Sequence, residues 1–248
     1  MKIYTRIFLL CCFIHSHVQA RDLVASIALL PNLTGLNERG EPVGRLVDVV
    51  RAMSDIYQEG EISIKLYPFA RSLDNVVTGR ADFHLPIIKP EANNLEGLPY
   101  GFSSQSLGKV VFVLYARADK PRLDINNLSQ YHLSTMRGHK MSFNFAITED
   151  TLIKQGIEKV IRGRTDGYIM AMGPTDTYIK RHKIKNIRRV FFAQLERGVA
   201  IPKGARGQNI DRLITNILVK LKADGLHILN REWAVEVYDD WQPAQMPW

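Results

Sequence analysis

The chain has 248 residues, 46% hydrophobic and 23% charged, with two Cys and a formal charge of +8. The apolar fraction is too high for a disordered chain, and 17 Gly and 11 Pro exclude collagen-like or low-complexity sequence. The length suits one large domain or two smaller lobes, since single cores split at roughly 250 residues.

The first twenty residues read as a secretory leader. Lys2 and Arg6 precede an unbroken apolar run from Ile7 to Ile14, and Val18-Gln19-Ala20 supplies small residues for cleavage after Ala20. Eight apolar residues cover only about 12 Å of helix, too short for a membrane span. Cleavage removes both cysteines, Cys11 and Cys12, and lowers the positive charge by two, since Lys2 and Arg6 are lost with no acidic residue. The mature chain then has no thiol, which suits an oxidising compartment and needs no disulfide. Later segments lack 18 consecutive apolar residues, so a soluble product is expected. Export also removes the nucleic-acid meaning of the positive charge.

Beyond Arg21 strands and helices alternate. Leu23 to Leu30 reads as a buried strand stopped by Pro31-Asn32. Leu46, Val49, Val50, Met53 and Ile56 form the apolar stripe of a helix over Gly44 to Tyr57. Ile62 to Leu66 alternates with period two and is a strand. Ala70 to Thr78 is a helix, Asp82 to Ile88 a strand, and Lys109 to Ala116 a longer, more apolar strand.

A second unit follows. His132 to Met136 is a strand, and Arg137-Gly138-His139 a turn into a helix. Thr148 to Ile161 reads as helical, capped by Thr148 or Asp150. Asp166 to Met170 is a strand and Pro174 to Lys183 a helix with its proline early. Val190-Phe191-Phe192 and Val199-Ala200-Ile201 are expected as two short strands. Asn209 to Ala223 carries the clearest helical stripe, from Ile210 to Leu221, and Asn230 to Tyr238 forms a last amphipathic turn or two. This alternation predicts an α/β chain with mainly parallel sheets.

Positive signs of catalysis are missing. Five histidines remain after cleavage (84, 132, 139, 182 and 227), and none stands in a metal-ligand spacing. The chain has no GxSxG elbow, no GxGxxG and no P-loop, so no metal, cofactor or catalytic residue is expected. The basic run from Lys180 to Arg189 lacks interleaved aromatics and reads as a solvated helix end.

Three stretches give the chain a resemblance. Gly40 to Val50 is similar to a "G-x-x-x-G-x-x-x-D" entry into a first helix. Tyr67 to Leu73 with Val77 to Asp82 resembles a "P-x-x-R-(A/S)…G-x-A-D" form. Gly198 to Gly204 with Leu221 to Gly225 looks like a return strand and final helix. In this order, with the shorter motifs Phe102-Ser103 and Gly163 to Gly167, they resemble the family 3 extracytoplasmic solute-binding proteins. The resemblance implies a type II periplasmic-binding-protein-like fold: two α/β lobes, two hinge strands and a ligand cleft between the lobes. It places lobe one over 21–114, lobe two over 115–200, and a return to lobe one over 201–248. Val110 to Ala116 and Arg197 to Ile201 would be the crossings.

Open α/β sheets bind ligands beyond the carboxyl ends of their strands. The expected ligand contacts are therefore Asn32, Arg71 and Lys89 in lobe one, with Ser103 from the Phe-Ser motif. In lobe two they are Arg137, Gly138 and His139, at a helix start that favours an anion. Both charged anchors of the family's amino-acid binders are missing. No Arg occurs between Arg80 and Arg117, and Ala171 stands where an Asp usually holds the ligand's ammonium. The resemblance thus implies a monomeric periplasmic binder of a small polar or anionic solute, serving an ABC permease or a membrane sensor. Two alternatives stay open: a sensory or scaffold domain without ligand, and a dehydratase-like enzyme using Glu91, Glu96 or His139.

Overall fold

A computed structural model describes residues 21–90, 95, 97–223 and 236–245. Residues 1–20, the acidic residues 91 and 96 and most of the 230–238 segment lie outside them.

The first lobe is built around β1 (Leu23–Ala28), which lies between β4 (Ile62–Tyr67) and β5 (Phe83–Lys89), parallel to both. A central parallel strand is covered on both faces, and β1 is accordingly buried at every position except Val24. Two short strands, β2 (Gly35–Leu36) and β3 (Pro42–Val43), pair beside it. Helix α1 (Arg45–Ile56) buries Leu46, Val47, Val49, Val50, Ala52 and Met53. It has no side-chain N-cap, so its stability comes from this face, at about 1.5–3 kcal/mol per large apolar side chain. Helix α2 (Phe69–Val77) turns Phe69, Ser72, Leu73 and Val76 inward, the spacing of one helix face.

Two long strands join this lobe to the second. They are β7 (Lys109–Arg117) and β11 (Ile187–Ile201), paired antiparallel from Ile187↔Arg117 to Glu196↔Lys109. Beyond Glu196, β11 continues antiparallel to β5, and its end also pairs with the short β6 (Gly101–Phe102). β11 is thus one strand of 15 residues, where two short ones were expected. The polar stretch between Phe192 and Gly198 hides it, because only a partner strand, β7, makes those residues extend.

The second lobe adds β10 (Gly167–Ala171), antiparallel to β7, then β8 (Leu133–Met136) and β9 (Thr148–Asp150), both parallel. The main sheet runs β4-β1-β5-β11-β7-β10-β8-β9, with β6 on the side of β11. Thr148 to Asp150 is therefore an edge strand rather than the start of a helix. Its Thr148 hydroxyl donates to the Leu133 carbonyl at 3.0 Å. Helix α3 (Ile153–Ile161) begins later, where the Gln155 side chain accepts from the N–H groups of Thr151 and Leu152. Helix α4 (Met172–Arg181) starts two residues before Pro174, and α5 (Gly204–Ala223) packs against α1 in the first lobe.

After α5, residues 236–245 lie along β11 and α4. Gln194 Nε2 donates to the Glu236 carbonyl at 2.9 Å, and the Gln242 side chain exchanges hydrogen bonds with the Arg189 backbone at 2.9 and 3.0 Å. The anchor is Arg189, fully buried on β11. It pairs with Asp176 of α4 at 2.6 Å and with Asp239 at 3.1 Å, and Trp241 covers its guanidinium at 4.4 Å.

Candidate ligand-binding cleft

A cavity of about 200 Å³ lies between the two lobes. Each wall includes chain that has just left a strand, as expected of an open α/β sheet, and the strands themselves supply the rest. From the first lobe come the turn after β1, with Leu30, Pro31 and Asn32, then Arg45 at the start of α1 and Phe69 at the start of α2. Pro86, Ile87 and Ile88 of β5 complete that side. The second lobe offers His139 after β8, Met170 and Ala171 at the end of β10, and Gly173, Pro174 and Thr177 of α4. Val110, Phe112 and Arg197 of the crossing strands form the floor, together with Glu236 from the tail.

Local chemistry positions these groups. In the turn after β1 the Thr34 hydroxyl accepts from the Leu30 N–H at 2.8 Å and donates to the Ala28 carbonyl at 2.7 Å. Asn32 sits at its tip with φ of 60° and gives its side-chain amide to Thr177 Oγ1 across the cleft at 3.0 Å. Phe69 crosses too: its ring centroid lies 4.3 Å from that of His139 and 5.1 Å from that of His84, behind it on β5. Gly138 has φ of +101°, and a Cβ there would stand 2.9 Å from the Phe69 ring, so glycine is required on both counts. The two lobes are thus in contact across the cavity.

The electrostatics are uneven. Burial pushes the His139 imidazole down to about 3, and its Nδ1 has no hydrogen-bond partner among the described residues. Burial, followed by the repulsion of His139, takes His84 to about 3 as well, while the Ser72 hydroxyl lies 2.7 Å from His84 Nδ1. Both rings are neutral near pH 7. Arg197 is lowered to about 10, chiefly by burial, with Glu236 opposing the shift. Burial raises Glu236, and the Val111 N–H and Arg197 pull it back. Arg45 is exposed and has no ion pair among the described residues, so its guanidinium is available to a solute.

Of the residues expected from the sequence, Asn32 and His139 line the cavity, and Gly138 packs beneath it on Phe69. Four do not line it. Arg71 is exposed on the outer face of α2, 5.7 Å from the Tyr67 ring, because the helix turns its neighbours Phe69 and Ser72 inward instead. Lys89 stands 4.0 Å from Glu196 on the adjoining strand. Ser103 is buried beside α5, with its hydroxyl 3.5 Å from that of Thr215. Arg137 points to solvent while its N–H donates to the Asp150 carbonyl at 2.8 Å, extending the β8–β9 pairing. Arg45, Thr177, Arg197 and Glu236 were missed. A search of helix starts would have found Arg45, but nothing local marks Glu236. Ala171, where the resemblance leads one to expect a carboxylate, does face the cavity. Among the described residues, no three His, Cys, Asp or Glu side chains converge as metal ligands.

Two α/β lobes, joined by paired crossing strands beside an interlobe cavity, have the fold of the type II periplasmic binding proteins. Solved structures share it closely. The substrate-binding protein of an amino acid ABC transporter matches at TM-score 0.66 and 17% identity, over 86% of this chain and 99% of that one. A histidine kinase sensor domain similar to periplasmic binding proteins matches at 0.67 and 17%, over 87% and 96%. A mutant of the arginine-binding protein of T. maritima matches at 0.63 and 16%, over 86% and 94%. No protein-family model matches the chain, and no curated protein does.

Proposed function

We propose that this chain is an exported solute-binding protein that closes its two lobes on a small polar or anionic solute, without catalysis. The observation that carries the reading is the interlobe cavity, walled by apolar side chains and bordered by the guanidinium of Arg45, which has no ion pair among the described residues. A few polar groups set in an apolar cleft are what fix and orient a small ligand. Ala171 offers no charge for an ammonium, and the carboxylate that does line the cavity, Glu236, is already engaged by the Val111 N–H at 2.8 Å, which supports an uncharged or acidic solute over a standard amino acid. Binding would shift the balance of open and closed forms, and an ABC permease or a membrane sensor would read that shift. Likeness to both a transporter component and a sensor domain supports either reader. Location in the periplasm rests on the leader-like pattern of residues 1–20. No helix among the described residues is long and apolar enough to cross a membrane.

The test is a thermal-shift screen of amino acids, polyamines, organic acids and sugars, with small-angle scattering on each hit. A solute that raises Tm saturably, binds tightly and favours the compact form is the expected result. An absence of hits, or hits that leave the lobe arrangement unchanged, counts against the reading. For an acidic solute, Arg45→Ala should weaken binding by about tenfold, the usual scale for a charge-assisted hydrogen bond.

A further inference from the structure

Glu236 is a carboxylate set into the cleft from outside it. Its Oε2 accepts from the Val111 N–H on the crossing strand at 2.8 Å. The Gly173 backbone lies beside the same carboxylate and favours its charged form. Gly173 is the second residue of α4, a ten-residue helix whose first-turn N–H groups have no partner within the helix and favour an anion. The approach depends on the absence of a side chain there, since a Cβ on Gly173 would stand 3.1 Å from Oε1. Arg197, only 6% exposed, shares the cavity and attracts the same carboxylate. His139, 3% exposed, lines the same cavity with its Nδ1 unpartnered. The tail carrying Glu236 is also held by Gln194 and by Arg189, which bonds to Asp239 and Trp241.

We infer that Val111, Gly173 and Arg197 form an anion subsite of the cleft, filled in cis by Glu236, and that the solute is a carboxylate with an apolar body whose acid group takes over these donors. This deepens the solute-binding reading and rests on it for the apolar part of the ligand. Two backbone N–H groups and a buried guanidinium complement an oxyanion and give an ammonium or a sugar hydroxyl no acceptor. The surrounding walls of Ile88, Val110, Phe112, Met170 and Pro174 suit a short hydrocarbon. Glu236 therefore competes with the solute and sets a threshold concentration for binding.

The experiment titrates wild type, Glu236→Ala and Glu236→Gln with propionate and benzoate at constant ionic strength, by calorimetry and thermal shift, with chloride as control. Glu236→Ala is expected to bind propionate at least about tenfold more tightly than wild type and to be stabilised saturably, while chloride does neither. If Glu236→Ala does not fold, Glu236→Gln carries the test, because its amide keeps the volume without the charge and it too must bind propionate more tightly than wild type. Equal affinities in wild type and variant, or a variant response no larger than that to chloride, overturns the inference. A non-acidic solute that closes the wild type, with no gain of carboxylate binding in the variants, defeats the subsite and leaves the solute-binding reading standing. A gain of propionate binding, with no panel solute closing the wild type, defeats the solute-binding reading and leaves the subsite.

Discussion

The side-chain amide of Asn32 donates to the Thr177 hydroxyl at 3.0 Å, and this one bond ties the turn after β1 to α4 across the mouth of the cleft. A bond made only when the lobes meet contributes to closure and not to the stability of either lobe. Asn32→Gly keeps the left-handed backbone that Asn32 adopts at φ of 60° and deletes the amide. The expected outcome is a shift of the open–closed balance toward open by about 1 kcal/mol, roughly fivefold, with little change in Tm. Small-angle scattering measures the shift. Thr177→Val should do the same, and the double variant should add nothing further.

Gly138 and Phe69 make the second contact across the cleft. Gly138→Ala brings two separate penalties: a Cβ at φ of +101°, and a methyl 2.9 Å from the ring. The first acts in open and closed forms alike, at about 1 kcal/mol or more, and the second only on closure. Urea denaturation should show the first. Pairing the variant with Phe69→Leu should recover closure while leaving the denaturation midpoint low.

Acidification should weaken the fold. His84 and His139 titrate near 3 in the folded chain against 6.5 unfolded. Their stabilising effect is complete above pH 6.5 and is lost as pH falls from 6.5 toward 3, because the unfolded chain takes up the protons first. The expected slope is one to two protons, about 1.4 kcal/mol per proton per pH unit. Glu236 is raised and has the opposite sign: its burial favours the protonated form, so stability rises as pH falls through its folded value toward 4.5. Urea midpoints at pH 7.5, 6 and 5 measure the sum. The histidines should dominate between 7.5 and 5, and His139→Gln should flatten the curve.

The tail anchor is a buried ion pair. Arg189→Ala would leave Asp176 buried without its cation and should destabilise by about 3–5 kcal/mol. Replacing both partners, as Arg189→Met with Asp176→Leu, should cost much less. Both variants lose the support for Trp241, which stacks on Arg189 at 4.4 Å and donates to Asp176 at 3.1 Å. Limited proteolysis should then cut between residues 236 and 245 in both, while wild type resists.

Elements whose pattern is local were legible from residue types alone. The Leu46-to-Met53 stripe of α1 and the Ile210-to-Leu221 stripe of α5 follow the 3.6-residue period, and β1 is a continuous apolar run. Elements created by pairing were not. Thr148 to Asp150 extends only because Ser134 to Met136 lies beside it, and the polar middle of β11 only because β7 does.

The site divides in the same way. The two-lobed architecture with its cleft was what the family resemblance implied, and Asn32 and His139, expected just after strands, do line the cavity. Which cation faces the cleft did not follow, since Arg71 and Arg45 are equally plausible in one dimension and the helix faces separate them. Glu236 lies 39 positions after Arg197 in the chain and reaches the same cavity because the tail folds back over β11. Periodicity reports which side of an element is buried. What that side meets is decided by the long-range packing of Arg189, Asp176 and Trp241, and so the cleft's charge is a property of the tertiary structure.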